Sequence, residues 1–172
     1  MEDFFAGIER RAFRMAEIAT GSRDDALDIV QDSMCKLVQK YAAKSSDEWT
    51  PLFYRILQSR IHDWYRRESF RNRFRVWFGN DPEIGSDSLH DYPDTGAPGP
   101  EQALQRQSSM NVLEVAIRQL PLRQQQAFML RAFEEFNVKE TAQMMNCSEG
   151  SVKTHYSRAV QTLRKQLGAD WP

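Results

Sequence analysis

The stretch from Val138 to Leu167 constrains the fold most, because its pattern admits two helices joined by a tight turn and little else. Val138 to Met145 is a short amphipathic helix in which Ala142 is small enough for a partner helix to cross closely and Met144 and Met145 are apolar. Asn146-Cys147-Ser148 stops it. Asparagine tolerates the left-handed backbone that a helix end needs, and Ser148 can accept from the first free amides of the next helix. Glu149 suits that helix's positive end. Val152, Tyr156, Ala159, Val160, Leu163 and Leu167 then recur at i, i+4, i+7, i+8, i+11 and i+15, a single apolar stripe on an α-helix. The opposite face carries Ser151, Lys153, Thr154, His155, Ser157, Arg158 and Gln161. Between Gly150 and Leu167 there are four Lys or Arg and no acid, although the whole chain has a net charge of −1. A helix-turn-helix sets such residues against base edges and phosphates in the major groove. The competing reading is a helical pair that closes a small bundle with its polar face solvated.

The rest of the chain is also helical in pattern. No sustained period-2 alternation and no Asn-Gly or Asp-Gly hairpin turn occur, so the expected class is all-α. At 172 residues there is room for one ordinary domain or two small ones, and two small helical domains fit better. The division follows a sharp composition shift. Val76 to Gln105 holds four of the eight Gly, four of the seven Pro, six Asp or Glu and no Lys or Arg, which reads as a flexible acidic linker. Extended, about thirty residues at roughly 3.4 Å each reach about 100 Å. The expected units are therefore 1–75, the linker 76–105, and 106–172. No apolar run approaches a membrane span and no secretion signal opens the chain, so a cytoplasmic protein is expected. Cys35 and Cys147 lack metal-ligand spacing, so neither a zinc site nor a disulfide is expected.

In the N-terminal unit, Phe4, Phe5, Ile8, Ala12, Met15, Ile18 and Ala19 predict a first helix closed near Gly21. A second is predicted over Asp24 to Tyr41, with Leu27, Val30, Met34, Leu37, Val38 and Tyr41 as its buried stripe. Asp24, Asp25, Asp28 and Asp32 crowd its first turns, more acid than the helix dipole requires. They fit either a basic protein partner or a solvated face. A third helix starts at about Trp49 or Pro51 and runs to Arg67. Between Arg55 and Arg75 seven Arg meet two acids, interleaved with Trp64, Tyr65, Phe70 and Phe74. Guanidinium groups neutralise phosphate and rings stack on unpaired bases, so this composition suits single-stranded or melting DNA. The plainer alternative makes Phe53, Ile56, Leu57, Ile61 and Trp64 core and the arginines surface.

Taken in order, these segments resemble the RNA polymerase sigma factors of the extracytoplasmic-function type, in the sigma-70 family. Asp25-Ala-Leu-Asp28-Ile-Val-Gln31-Asp32 is similar to the family's Asp-Ala-Glu-Asp-(Leu/Val)-Val-Gln-Glu motif, which docks on the clamp of core polymerase. Phe53 to Arg67 resembles its promoter-melting and minus-10 segment. Leu120-Pro121-Leu-Arg-Gln-Gln-Gln-Ala-Phe-Met-Leu130 resembles the Leu-Pro-x-x-x-Arg entry to its fourth region, with Gln125 in place of the arginine. Gly150-Ser-Val-Lys-Thr-His-Tyr-Ser-Arg158-Ala159 is similar to its recognition helix. The likeness spans nearly the whole chain apart from the linker.

The resemblance implies a polymerase-docking surface at Asp25, Asp28, Gln31 and Asp32. It implies minus-10 DNA contacts at Lys44, Trp49, Ser59, Arg60, His62, Asp63, Arg66 and Arg67, with a flipped base captured by the loop Ala43 to Thr50. Minus-35 contacts are implied at Ser151, Lys153, Thr154, His155, Ser157 and Arg158. Ser59 replaces the family's common Asn and Leu52 its usual Trp, so no minus-10 base preference is carried over. The implied partners are core RNA polymerase, promoter DNA and an anti-sigma factor. No cofactor, metal or catalytic residue is implied, and the protein is not expected to be an enzyme. A two-domain helix-turn-helix regulator that binds an operator is the alternative, but it leaves the Asp25–Asp32 motif and the arginine-aromatic helix without a role. A nuclease is less favoured, because His62, His90 and His155 have no paired carboxylates or nucleophile to work with.

Overall fold

The computed structural model describes residues 1–78 and 112–168, the side chains of 71–78 excepted. The acidic segment expected at 76–105, the far end of the arginine run, and Trp171 lie wholly or largely outside the described residues. Within them the fold is all-helical: α1 (Glu2–Thr20), α2 (Arg23–Tyr41), α3 (Ser46–Phe78), α4 (112–118), α5 (Leu122–Phe128), α6 (Val138–Met145) and α7 (Glu149–Leu167).

Local chemistry sets the boundaries. α1 ends at Gly21, whose left-handed backbone (φ 69°) lets its N–H reach the Glu17 carbonyl. Ser22 then caps α2 by accepting from the Asp25 amide. α3 begins at Ser46, earlier than the proline implies, with Asp47 and Glu48 in its first turn. Pro51 lies in the second turn, where the missing N–H removes one bond and the helix continues. The loop expected over 43–50 is accordingly only 42–45, and residues 46–50 are helix. At the other end α3 runs to Phe78, three residues into the segment read as linker.

The N-terminal lobe packs α1, α2 and α3 around Ile8, Ala12, Met15, Val30, Leu37, Phe53, Leu57 and Ile61, all buried. One expectation fails here. Leu27 and Val38 are 42% and 44% exposed, while Ala26, Ile29 and Ser33 face inward. Two apolar stripes overlap on α2, and the one built on small residues is the one that α1 and α3 can approach. Ser33 is tolerated in the core because its hydroxyl donates to the Ile29 carbonyl at 2.7 Å. Trp64 is only half-buried, so it is not full core.

In the C-terminal lobe α7 packs on α5 and α6 through Val152, Ala159, Leu163 and Leu167. α5 runs into one π-helical turn, Met129–Phe133, followed by Glu135 with a left-handed φ of 58°. α6 opens on a complete capping box: Asn137 accepts from the Glu140 amide at 2.9 Å, and the Glu140 carboxylate accepts from the Asn137 amide at 2.7 Å. The two lobes are in contact, α6 lying against α3, so the buried side chains form one continuous cluster.

Candidate nucleic-acid and protein interface

The helix-turn-helix forms as its caps require. Asn146 takes the left-handed conformation (φ 50°, ψ 55°) with its N–H on the Ala142 and Gln143 carbonyls, and Ser148 accepts from the Ser151 amide at 3.1 Å. The seating of Val152, Ala159 and Leu163 leaves Lys153, Thr154, Ser157 and Arg158 exposed on the outer face of α7. Ser151 and His155 are half-buried at its margin. Burial, and after it the positive charges of Arg123 and Arg158, hold the His155 imidazole below its ordinary pKa of 6.5. At neutral pH it is therefore an uncharged donor and acceptor beside a cationic row.

Gln125, where the family motif carries arginine, is 2% exposed, and its amide donates to the Ile117 carbonyl at 3.2 Å. It joins α5 to α4 and does not face solvent. The guanidinium of this entry segment is Arg123, which donates to the Met145 carbonyl at 2.9 Å and so ties α5 to the end of α6.

On the N-terminal lobe, two sets of residues expected to serve different partners meet. Asp25, Asp28, Gln31 and Asp32 of α2 and Arg60, Trp64, Arg66 and Arg67 of α3 line one cleft of about 850 Å³. Asp32 and Arg60 face each other across it at 3.9 Å. The Nε of Arg60 is buried with no acceptor, so its donor capacity is incompletely used. Arg67 Nε donates to the Asp63 carbonyl at 3.4 Å, and Arg66 pairs with Asp63 at 3.6 Å. Phe70, 71% exposed, stands at the cleft edge.

The other expected minus-10 residues lie elsewhere. Ser59 and His62 share a face of α3 that opens on a second cleft of about 530 Å³, opposite Arg123, Met145 and Asn146 of the C-terminal lobe. Lys44 is engaged with Glu48 at 3.1 Å, and that hydrogen bond holds the Glu48 carboxyl below its usual range. Trp49 is half-buried, its indole donating to the Tyr41 carbonyl at 3.3 Å and its ring edge-on to Phe4 at 5.7 Å. Among the described residues no cluster of His, Cys, Asp or Glu is arranged to hold a metal ion, and no helix is long and apolar enough to cross a membrane.

Comparison with known proteins follows the same lines. The family model described as sigma-70, region 4, matches residues 110–163. RNA polymerase sigma factor SigV of Bacillus subtilis is 29% identical over 157 residues, covering 90% of this chain and 83% of that protein. The ECF RNA polymerase sigma factor BldN of Streptomyces coelicolor is 38% identical over 71 residues, 41% of this chain and 27% of BldN. In fold, the chain is similar to the sigma factor RpoE of Bartonella quintana, solved in complex with the anti-sigma factor NepR. That likeness has a TM-score of 0.63 at 23% identity and covers 99% of this chain and 100% of the other. A structure of the anti-anti-sigma factor PhyR with NepR, from the same organism, gives a TM-score of 0.52 at 17% identity, over 95% of this chain and 49% of that one.

Proposed function

We propose that the chain is an extracytoplasmic-function sigma factor of the sigma-70 family, supported by its likeness to the sigma-70 region 4 model and to the sigma factors SigV and BldN, and that it directs core RNA polymerase to promoters by melting a minus-10 element and reading a minus-35 element. Carrying this reading is the 850 Å³ cleft in which the acid face of α2 meets the arginine face of α3. An operator-binding regulator has no use for either face. A sigma factor needs both, one to dock on the polymerase and one to hold the strand that the polymerase opens.

The division of labour follows from the chemistry of each surface. Asp25, Asp28, Gln31 and Asp32 offer carboxylates to a basic protein surface, with exposed Leu27 and Val38 supplying apolar contact on the same helix. Arg60, Arg66 and Arg67 neutralise phosphates of the separating strand, with Trp64 and Phe70 beside them for stacking. Ser59 and His62 offer polar groups on the second cleft of α3, facing the C-terminal lobe, while Lys44 and Trp49 shape the α2–α3 turn. Lys153, Thr154, Ser157 and Arg158, flanked by Ser151 and His155, read the minus-35 duplex. The protein does no bond chemistry itself. Its working place is the cytoplasm with the polymerase, and an anti-sigma protein is its proposed regulator, by analogy with the RpoE–NepR complex.

Two small readers joined on the polymerase make the second contact effectively intramolecular, raising avidity without new contacts. The test is run-off transcription on a promoter library with core polymerase, with and without the chain. The expected outcome is transcripts that appear only with the chain and share two conserved elements. Transcription no higher than with core enzyme alone would return the chain to the operator-binding reading.

A further inference from the structure

The second cleft, of about 530 Å³, lies where α2 and α3 meet the start of α5 and the end of α6, and its charge is of one sign. Lys36 and Lys40 stand one turn apart on α2, Arg55 stands on α3 and Arg123 in the first turn of α5; His62 joins them, and no Asp or Glu lines the cleft. Lys36, Lys40 and Arg55 have no carboxylate partner among the described residues. Arg123 spends its Nη1 on the Gln126 amide oxygen at 3.4 Å and the Met145 carbonyl at 2.9 Å, which leaves its other guanidinium nitrogens without an acceptor among the described residues. In a chain whose net charge is −1, four cations converging with no counter-charge focus the field on one small volume and draw an anion into it.

The floor of the cleft is of another kind. Ile56, Met144 and Met145 are buried there and make it apolar, and Gln58, 3% exposed, lines it as well. The Gln58 Nε2 donates to the Met15 Sδ at 2.8 Å, but its Oε1 has no hydrogen-bond partner. A buried acceptor left unused costs stability, and a ligand that donates to it recovers that cost. One ligand chemistry meets every demand of the cleft: phosphates for the cations, a flat ring for the apolar floor and an N–H donor for Gln58. We propose that this cleft binds a nucleoside polyphosphate whose base carries an exocyclic amino group, with Lys36, Lys40, Arg55 and Arg123 holding the phosphates and Gln58 accepting from the base. Its volume is that of a small-molecule site, which runs roughly from 300 to 1,000 Å³. On the sigma-factor reading, a nucleotide bound there competes with the minus-10 strand for Ser59 and His62, which line the same cleft.

Calorimetric titration of the full chain with ATP, GTP, UTP and inorganic tripolyphosphate, at physiological ionic strength and without polymerase, tests the site. ATP or GTP is expected to saturate a single site, and to bind more tightly than UTP, whose base lacks the amino group, and than tripolyphosphate, which lacks a base. Lys40 and Arg55 are exposed, so Lys40→Ala with Arg55→Ala should leave helical content unchanged and weaken binding roughly tenfold or more, the scale of one hydrogen bond to a charged group. Gln58→Met removes the acceptor and keeps the length of the side chain; ATP and GTP should fall to the affinity of UTP, while UTP is unmoved. If Gln58→Met fails to fold, the ranking of the four ligands on the unsubstituted chain decides, together with the Lys40 and Arg55 variant. No saturable binding, tripolyphosphate binding as tightly as ATP, or an equal loss from Lys139→Ala, exposed on α6 outside the cleft, overturns the site. Nucleotide binding without promoter-directed transcription upholds the cleft and overturns the sigma-factor reading; transcription without nucleotide binding does the reverse.

Discussion

Lys153 and Ser157 form one row along the outer face of α7, with Thr154 and Arg158 in the next, and none of the four is needed to hold the helix in place. Thr154 already donates its hydroxyl to the Gly150 carbonyl at 3.0 Å, so in the proposed reading the cationic pair carries the greater share of recognition. Replacing both by alanine, Lys153→Ala with Arg158→Ala, should reduce discrimination by about 1–3 kcal/mol per base-edge interaction. Transcription from promoters with intact and scrambled minus-35 elements checks this: the intact promoter should lose its advantage while helical content is unchanged. An undiminished preference would mean that α7 is not the reader. At this scale the exposed polar face of α7 was legible in the sequence, because exposure on a regular helix follows from the stripe opposite. Gln125 was not. The motif position suggested a missing charge contact, whereas its amide is spent on a carbonyl inside the lobe, and two other glutamines, Gln58 and Gln126, are likewise buried with their amides engaged. A polar letter reads as surface until a buried partner for it is known.

Each helix of the C-terminal lobe depends on its ends, since α6 has only eight residues and too few internal hydrogen bonds to stand alone. Its capping box satisfies two otherwise free amides. Asn137→Ala removes one half and should cost about 1 kcal/mol of stability, read as a lower urea midpoint of the full chain; an unmoved midpoint would show that packing alone holds α6. The caps at Gly21, Asn146 and Ser148 follow from residue type and were readable beforehand. Which face of α2 is buried was not. Apolar residues at 26, 29, 30 and 37 and at 27, 34, 38 and 41 both repeat at helical spacing, and only the approach of α1 and α3 selects the first set. The start of α3 was misplaced for a related reason: proline marks a first turn only when nothing before it can begin one, and Ser46 with Asp47 and Glu48 can.

For the whole molecule, the contact between lobes could not be seen in the sequence. Arg11 of α1 and Tyr54 of α3 both meet Glu134, which follows the π turn: the Tyr54 hydroxyl donates to its carboxylate at 2.5 Å and Arg11 lies 3.5 Å from it, yet the three are far apart along the chain and each reads locally as an ordinary surface or core residue. Together they draw α3 and α7 into one packed body with α6 between them, which changes what the isolated protein is expected to do. Its net charge of −1 offers no general attraction to DNA, and each of its two proposed readers is small. In the proposed reading the specificity therefore belongs to the assembly with polymerase. A gel-shift titration of one cognate promoter, with the chain alone and with the chain plus core polymerase at the same salt, tests this most directly. A sequence-specific complex is expected only when polymerase is present. Tight, sequence-specific binding by the isolated chain would contradict that division of labour.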